Sequence, residues 1–144
     1  LSSALSVEPN TQTLEKLKKF VEPVSLHQVA LGKEGKCIKR IKDLDLALNA
    51  QHEGKLPDAD EWRIHFHVPL HASPGDGLND TRIHVIDTLF WLSKNPEKCR
   101  HLEMETYTWE VLPDNLQSGT VVEQVGREYQ WTLEQMNKIG FELT

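Results

Sequence analysis

The chain has 144 residues, of which 38% are hydrophobic and 26% charged, a composition typical of a globular domain with a buried core. Its net charge of −6 at pH 7 argues against nucleic-acid and anionic-membrane partners, because both bind basic surfaces. No apolar run approaches the roughly 20 residues that a membrane-spanning helix needs.

The cysteines and the first residues indicate a cytoplasmic protein. Cys37 and Cys99 lie far apart and form no CxxC motif, so we expect two reduced thiols. The opening residues, LSSALSVEPN, lack the basic start and long apolar segment of a signal peptide. Because the chain starts at Leu1 without a polar lead-in, we expect a natural fragment or excised domain of a longer protein.

The first half of the sequence predicts three strands and two helices. The residues LSSALS predict a short strand, and a helix follows in NTQTLEKLKKFVEP, capped by Asn10 or Thr11. The residues VSLHQVAL alternate in polarity like a strand, GKEG predicts a turn, and KCIKRI predicts the second arm of a hairpin. A short helix, DLDLALNAQ, begins after Asp43.

The second half alternates between strands and helices. WRIHFHVPL predicts a strand, DTRIHVIDTLFWLSKN a helix, and the front half of CRHLEMETYTWEVLP another strand. The last helix, TVVEQVGREYQWTLEQMNKIG, starts with a Thr120–Glu123 capping box. The apolar faces of these two helices are predicted at Ile83, Ile86, Leu89 and Phe90, and at Val122, Val125, Tyr129, Leu133 and Met136. This order predicts an α/β fold with parallel strands and outer helices.

Two histidines stand out in the strand WRIHFHVPL. Because strand side chains alternate, His65 and His67 point the same way, about 6–7 Å apart along the backbone. Glu103 and Glu105 share a face of the next predicted strand in the same manner. Buried carboxylates need partners, and a divalent metal accepts both imidazole and carboxylate ligands. The alternative is that each histidine is a core residue with its hydrogen bonds satisfied.

The segments WRIHFHVPL and HLEMETYTWEVLP together resemble the xylose isomerase-like TIM-barrel superfamily. More narrowly, they resemble the barrel proteins of the bacterial ebo gene cluster, which are associated with metabolite traffic. SSALS and EPVSLHQVAL add weaker similarity. The resemblance implies that residues 1–144 are one domain. That domain would be the carboxyl-terminal portion of a (β/α)₈ TIM barrel, from about its sixth strand to its eighth helix.

The resemblance also implies a set of site residues. The superfamily carries an Asp/His-x-His ligand pair on its seventh strand and a Glu on its eighth, which correspond here to His65, His67 and Glu105. The expected cofactor is therefore a divalent ion such as Zn²⁺ or Mn²⁺, with further ligands on earlier strands. Glu103 is the candidate for proton transfer or for orienting a ligand. His71 and Trp109, which lie in predicted loops after the two strands, are candidates for substrate contact.

These residues predict a metal-binding, sugar isomerase-like protein that acts on or handles a small polar metabolite or a secondary-metabolite precursor. In that chemistry the ion polarises a hydroxyl or carbonyl group while carboxylates and histidines move protons. One alternative is a metabolite carrier or scaffold with a vestigial metal site and no catalysis. Another is a metal-dependent phosphodiesterase similar to endonuclease IV, which the negative net charge disfavours.

Overall fold

The computed structural model of the chain describes residues 1–75, 77–105 and 119–141. Its strands are β1 (Ser3–Val7), β2 (Val29–Lys33), β3 (Lys36–Ile41), β4 (Glu61–Val68) and β5 (Asn79–Asp80). Its helices are α1 (Thr11–Leu17), α2 (Leu44–His52), α3 (Arg82–Lys94) and α4 (Val121–Lys138), with short 3₁₀ turns at Lys18–Phe20 and Pro96–Lys98. The strands form one sheet in the order β3-β2-β4-β1-β5, and all neighbours are antiparallel.

The predicted parallel α/β fold, and with it the portion of a TIM barrel, is therefore wrong. The prediction depended on a second strand after α3, because a crossover helix normally joins two parallel strands. Residues 99–105 form no strand, and residues 106–118 of that predicted strand and loop lie outside the described ranges. β4 pairs instead with β1 and β2 from the first half of the chain. Whether the chain is a portion of a longer protein stays a prediction.

Local signals in the sequence located most of the other elements. Asn10 caps α1, Asp43 caps α2 through the Leu44 N–H, and the predicted capping box starts α4. The predicted hairpin joins β2 to β3. Its two turn residues, Glu34 and Gly35, both have positive φ, as a two-residue hairpin turn of the I′ kind requires. The structure confirms these predictions. Each depends on residues only a few positions apart, which is why local sequence patterns were sufficient.

The main core lies on one face of the sheet, against α1 and α2. Every second residue of β4 from Trp62 to Val68 is buried on this face, as the alternation predicted. The residues that meet β4 there include Leu5, Val7, Leu17, Leu31, Leu44 and Ala47. Each large apolar side chain buried in this way contributes roughly 1.5–3 kcal/mol to the free energy of unfolding.

A smaller second cluster lies where α3 and α4 meet the segment after β4. Its buried members are Leu70, Val85, Leu89 and Met136. The predicted apolar faces of these two helices are only partly correct, since Leu89 and Met136 are buried as predicted. Ile83 and Phe90 of α3 are exposed, as are Val122, Tyr129 and Leu133 of α4. Beside Met136, α4 buries the polar residues Gln124, Glu128 and Thr132 instead. None of the helices within the described ranges is long and apolar enough to cross a bilayer.

The central position of β4 yields a stability prediction. Ile64 is fully buried and pairs with Leu5 on one side and Val29 on the other. We expect Ile64→Val to lower the free energy of unfolding by about 0.5–1.5 kcal/mol, because one methylene of core packing is lost. Urea unfolding followed by circular dichroism measures the change.

The same substitution at Ile38, on edge strand β3, is the matched control. Ile38 is 43% exposed, so Ile38→Val should change the free energy of unfolding by less than about 0.5 kcal/mol. Equal losses in the two variants would contradict the position of β4 at the centre of the core.

Candidate functional site

His67 lies near the end of β4, on the face of the sheet opposite the main core. Its side chain is only 3% exposed, although imidazole is a polar group. Residue 67 alternates with Phe66 and Val68, which point into the main core, so its ring points toward α4 instead. A buried imidazole in this position needs polar partners from outside the sheet.

Glu128 of α4 is the first of these partners and is 1% exposed. Its carboxylate oxygens lie 3.2 and 3.3 Å from His67 Nε2. The N–H of Leu70 donates to the same carboxylate at 3.0 Å. A buried carboxylate is costly to desolvate, and these two contacts offset part of that cost. The contacts also fix α4 against the end of β4.

Ser2 is the partner on the other side of the ring. Its Oγ lies 2.9 Å from His67 Nδ1. A carboxylate only accepts hydrogen bonds, so in the neutral imidazole we assign the ring proton to Nε2, which leaves Nδ1 as an acceptor. The Ser2 hydroxyl then donates to Nδ1. Ser2, His67 and Glu128 thus form a continuous hydrogen-bonded chain, which we call the relay.

His71 lies just beyond the relay, in the segment that follows β4. Its Nδ1 is buried and has no hydrogen-bond partner among the residues that the structure describes. Burial lowers the pKa of His71 below its usual value, and Arg127 and Arg82 lower it further, while the nearby Glu128 carboxylate raises it. A neutral imidazole with a free nitrogen is able to bind a polar group on a ligand.

The inward stripe of α4 adds further polar groups beside the relay. Gln124 and Thr132 lie one turn before and one turn after Glu128, and both are almost completely buried. Gln124 Oε1 and Thr132 Oγ1 have no hydrogen-bond partner within the described ranges. Buried polar atoms normally find partners, so these two atoms are able to bind a polar group of a ligand.

Three other predicted site residues, His65, Glu103 and Glu105, lie within the described ranges and do not join this cluster. His65 is exposed, and so is Glu103, whose backbone carbonyl accepts a hydrogen bond from the Leu1 amino group. Glu105 is half-buried, and its N–H donates to the Leu1 carbonyl at 3.1 Å. Trp109 lies outside the described residues. Of the predicted residues that the structure describes, only His67 and His71 lie in the relay region.

The predicted metal ligands do not fit a common ion in this structure. His65, His67 and Glu105 all lie in the described ranges, where no three His, Cys, Asp or Glu side chains are grouped closely enough to hold a metal. The resemblance placed these residues on adjacent parallel strands, and that arrangement is absent here because β4 has antiparallel neighbours. Metal binding itself stays a prediction.

The sequence interpretation missed Ser2 and Glu128. Glu128 belongs to a polar stripe with a helical period of four, but the competing apolar stripe was taken as the buried one. Ser2 stands 65 positions from His67, and no local pattern links the two. The only usable signal was the alternation of β4, which required some polar partner for a histidine on its second face.

Comparisons with known proteins place the chain in no family. It matches no protein-family model, no curated protein and no solved structure. The resemblance to sugar isomerases therefore stays a prediction about chemistry.

A second buried histidine, His27, lies in the main core. Its ring stacks on Phe66 with 5.2 Å between ring centroids, and its Nε2 lies 3.6 Å from a Glu22 carboxylate oxygen. Neither ring nitrogen makes a hydrogen bond within the described part of the chain. Burial lowers the pKa of His27, although the Glu22 and Asp43 carboxylates act in the opposite direction.

The buried position of His27 and its lowered pKa predict a loss of stability in mild acid. Its pKa in the folded protein is below the ordinary value of 6.5, so the unfolded chain takes up the proton first. The free energy of unfolding should be constant with respect to this group above pH 6.5 and should fall as the pH drops toward the folded-state pKa. We expect His27→Phe, which keeps the ring contact with Phe66, to flatten this part of a urea-unfolding pH profile.

His52→Gln is the control for this experiment, because His52 is exposed at the end of α2. It should leave the slope of the profile unchanged. An unchanged slope in His27→Phe would show that other groups cause the acid sensitivity.

Proposed function

We propose that this chain acts on or handles a small polar metabolite through the relay of Ser2, His67 and Glu128. The observation that carries the proposal is the buried His67–Glu128 pair, which leaves Nδ1 of His67 as an acceptor. Buried polar atoms normally have hydrogen-bond partners, yet Gln124 Oε1 and Thr132 Oγ1 beside this pair have none within the described ranges. Proton transfer to or from a hydroxyl or carbonyl compound is the chemistry that such a pair performs.

In this relay each residue has a distinct task. Nδ1 of His67 takes a proton that reaches it through the Ser2 hydroxyl, which both accepts and donates hydrogen bonds. Glu128 then stabilises the imidazolium by its position at Nε2 and keeps the ring in the required tautomer. His71 supplies a neutral nitrogen that binds a polar group on the metabolite.

A metabolite carrier without catalysis is the second candidate. The observation that favours it is the burial of His67, whose side chain is only 3% exposed and therefore meets little solvent. In a carrier, the same polar groups bind the metabolite, and no proton moves. The two candidates differ in one measurable step, which is exchange of a substrate proton with solvent.

The proposal is tested by deuterium exchange in D₂O with a panel of aldoses, ketoses and keto acids, followed by NMR. We expect exchange at the carbon next to the carbonyl group in at least one compound. Ser2→Ala and Glu128→Gln should lower the rate by at least about 100-fold, because each interrupts the relay. Ser2→Ala removes one hydroxyl and should preserve the fold, which thermal unfolding checks.

His52→Gln, at an exposed histidine outside the relay, is the control and should exchange at the wild-type rate. Binding without exchange would overturn catalysis and support the carrier. Exchange that survives both Ser2→Ala and Glu128→Gln would show that the relay is not the reacting group. If no compound binds and none exchanges its proton, both candidates are contradicted.

The metal hypothesis has a separate test. If Glu105 is a ligand, protein equilibrated with Zn²⁺ or Mn²⁺ should retain the ion through gel filtration. Glu105→Gln should then retain less, because a neutral amide replaces a charged ligand. Elemental analysis measures the metal content, and Glu134→Gln on the exposed side of α4 is the control. Equal metal in wild type and Glu105→Gln would exclude Glu105 as a ligand.

A further inference from the structure

A cavity of about 810 Å³ lies between α4 and the segment from Ser93 to Met104. This volume falls within the range of roughly 300–1,000 Å³ that is typical of small-molecule sites. Most of its wall is apolar and is formed by Leu1, Leu102, Met104, Leu133, Met136 and Phe141. The cavity therefore suits a molecule whose body is largely hydrocarbon.

One buried polar atom in this wall has no partner. Thr132 lines the cavity and is 3% exposed, yet its hydroxyl makes no hydrogen bond within the described ranges. A threonine hydroxyl in a helix commonly bonds to the carbonyl four residues earlier, and this one does not. A ligand with a hydroxyl or carbonyl oxygen would satisfy it.

A guanidinium group also borders the cavity. Arg100 is part of its wall and is exposed, and no ion pair involves Arg100 within residues 1–75, 77–105 and 119–141. The carboxylate of Glu97, which also lines the cavity, pairs with Lys98 at 3.4 Å instead. A guanidinium without a protein partner matches a carboxylate on a ligand.

The cavity adjoins the relay along two parts of the chain. Leu1 lines the cavity and precedes Ser2 directly. Thr132 follows Glu128 by one helical turn on the same buried stripe of α4. A molecule that fills the cavity therefore has its Thr132 end close to the relay, while Arg100 holds another part of it.

We propose that the cavity binds a carboxylic acid with an apolar body and a hydroxyl or carbonyl group at its other end. The carboxylate pairs with Arg100, the body lies against the apolar wall, and the oxygen bonds to the Thr132 hydroxyl. This inference rests on the proposed function in taking that oxygen-bearing end as the part that the relay meets. The binding mode itself depends only on the cavity.

Isothermal titration with three matched probes tests the assignment: ω-hydroxydecanoate, decanoate and the diol of the same length. Wild type should bind ω-hydroxydecanoate most tightly, because only this probe carries both polar groups. Arg100→Gln should weaken its binding about tenfold or more and leave the diol nearly unaffected. Thr132→Val should weaken it about fivefold and leave decanoate nearly unaffected.

Arg40→Gln is the matched control for charge, since Arg40 is exposed on β3 and does not line this cavity. Each variant is first checked by thermal unfolding, and Thr132→Val is nearly isosteric, so a folded variant is expected. No binding of any probe, or equal losses for all three probes in Arg100→Gln, would overturn the assignment.

Ser2→Ala separates this inference from the proposed function. If the variant binds ω-hydroxydecanoate like wild type, the cavity is a binding site whether or not the relay transfers protons. If Ser2→Ala no longer exchanges the proton of the carbonyl compounds but still binds ω-hydroxydecanoate, both proposals are supported. If Ser2→Ala still exchanges the proton of the carbonyl compounds and still binds ω-hydroxydecanoate, the relay is contradicted and the cavity site is not.

Discussion

The contact between His67 and Glu128 joins the two parts of this fold. His67 belongs to β4, whose other face supports the main core, and Glu128 belongs to α4, whose neighbours form the second cluster. Because both groups are buried, loss of either partner would leave the other desolvated and unpaired, which costs more than the pair itself contributes. The contact therefore determines which stripe of α4 faces inward.

That orientation has a consequence for the surface of α4. Tyr129 and Leu133 are partly exposed along the cavity because Glu128 and Thr132 occupy the buried stripe of α4. An apolar stripe is therefore partly exposed while a polar stripe is buried. Hydrophobic burial alone would favour the reverse arrangement. Positions where packing preference gives way to polar contacts are often functional, and here they surround the relay and the cavity.

The sequence predicted short-range features well and long-range ones poorly. The caps at Asn10, Asp43 and Thr120 and the hairpin turn depend on neighbouring residues, and all are present in the structure. The partners of β4 are β1, about 60 positions away, and β2, about 30 positions away, and no local pattern carries that information. The site shows the same limit of short-range patterns. The alternation of β4 placed His67 on the face opposite the main core, but it could not identify Ser2 or Glu128 as partners.

The edges of the sheet affect how the chain behaves at high concentration. An edge strand offers unpaired N–H and C=O groups to any other extended chain. The outer strand β3 carries Lys36, Lys39 and Arg40, and like charges oppose the approach of a second copy of the same strand. The opposite edge, β5, is only two residues long. Neither edge therefore favours the strand-to-strand association that starts fibril growth.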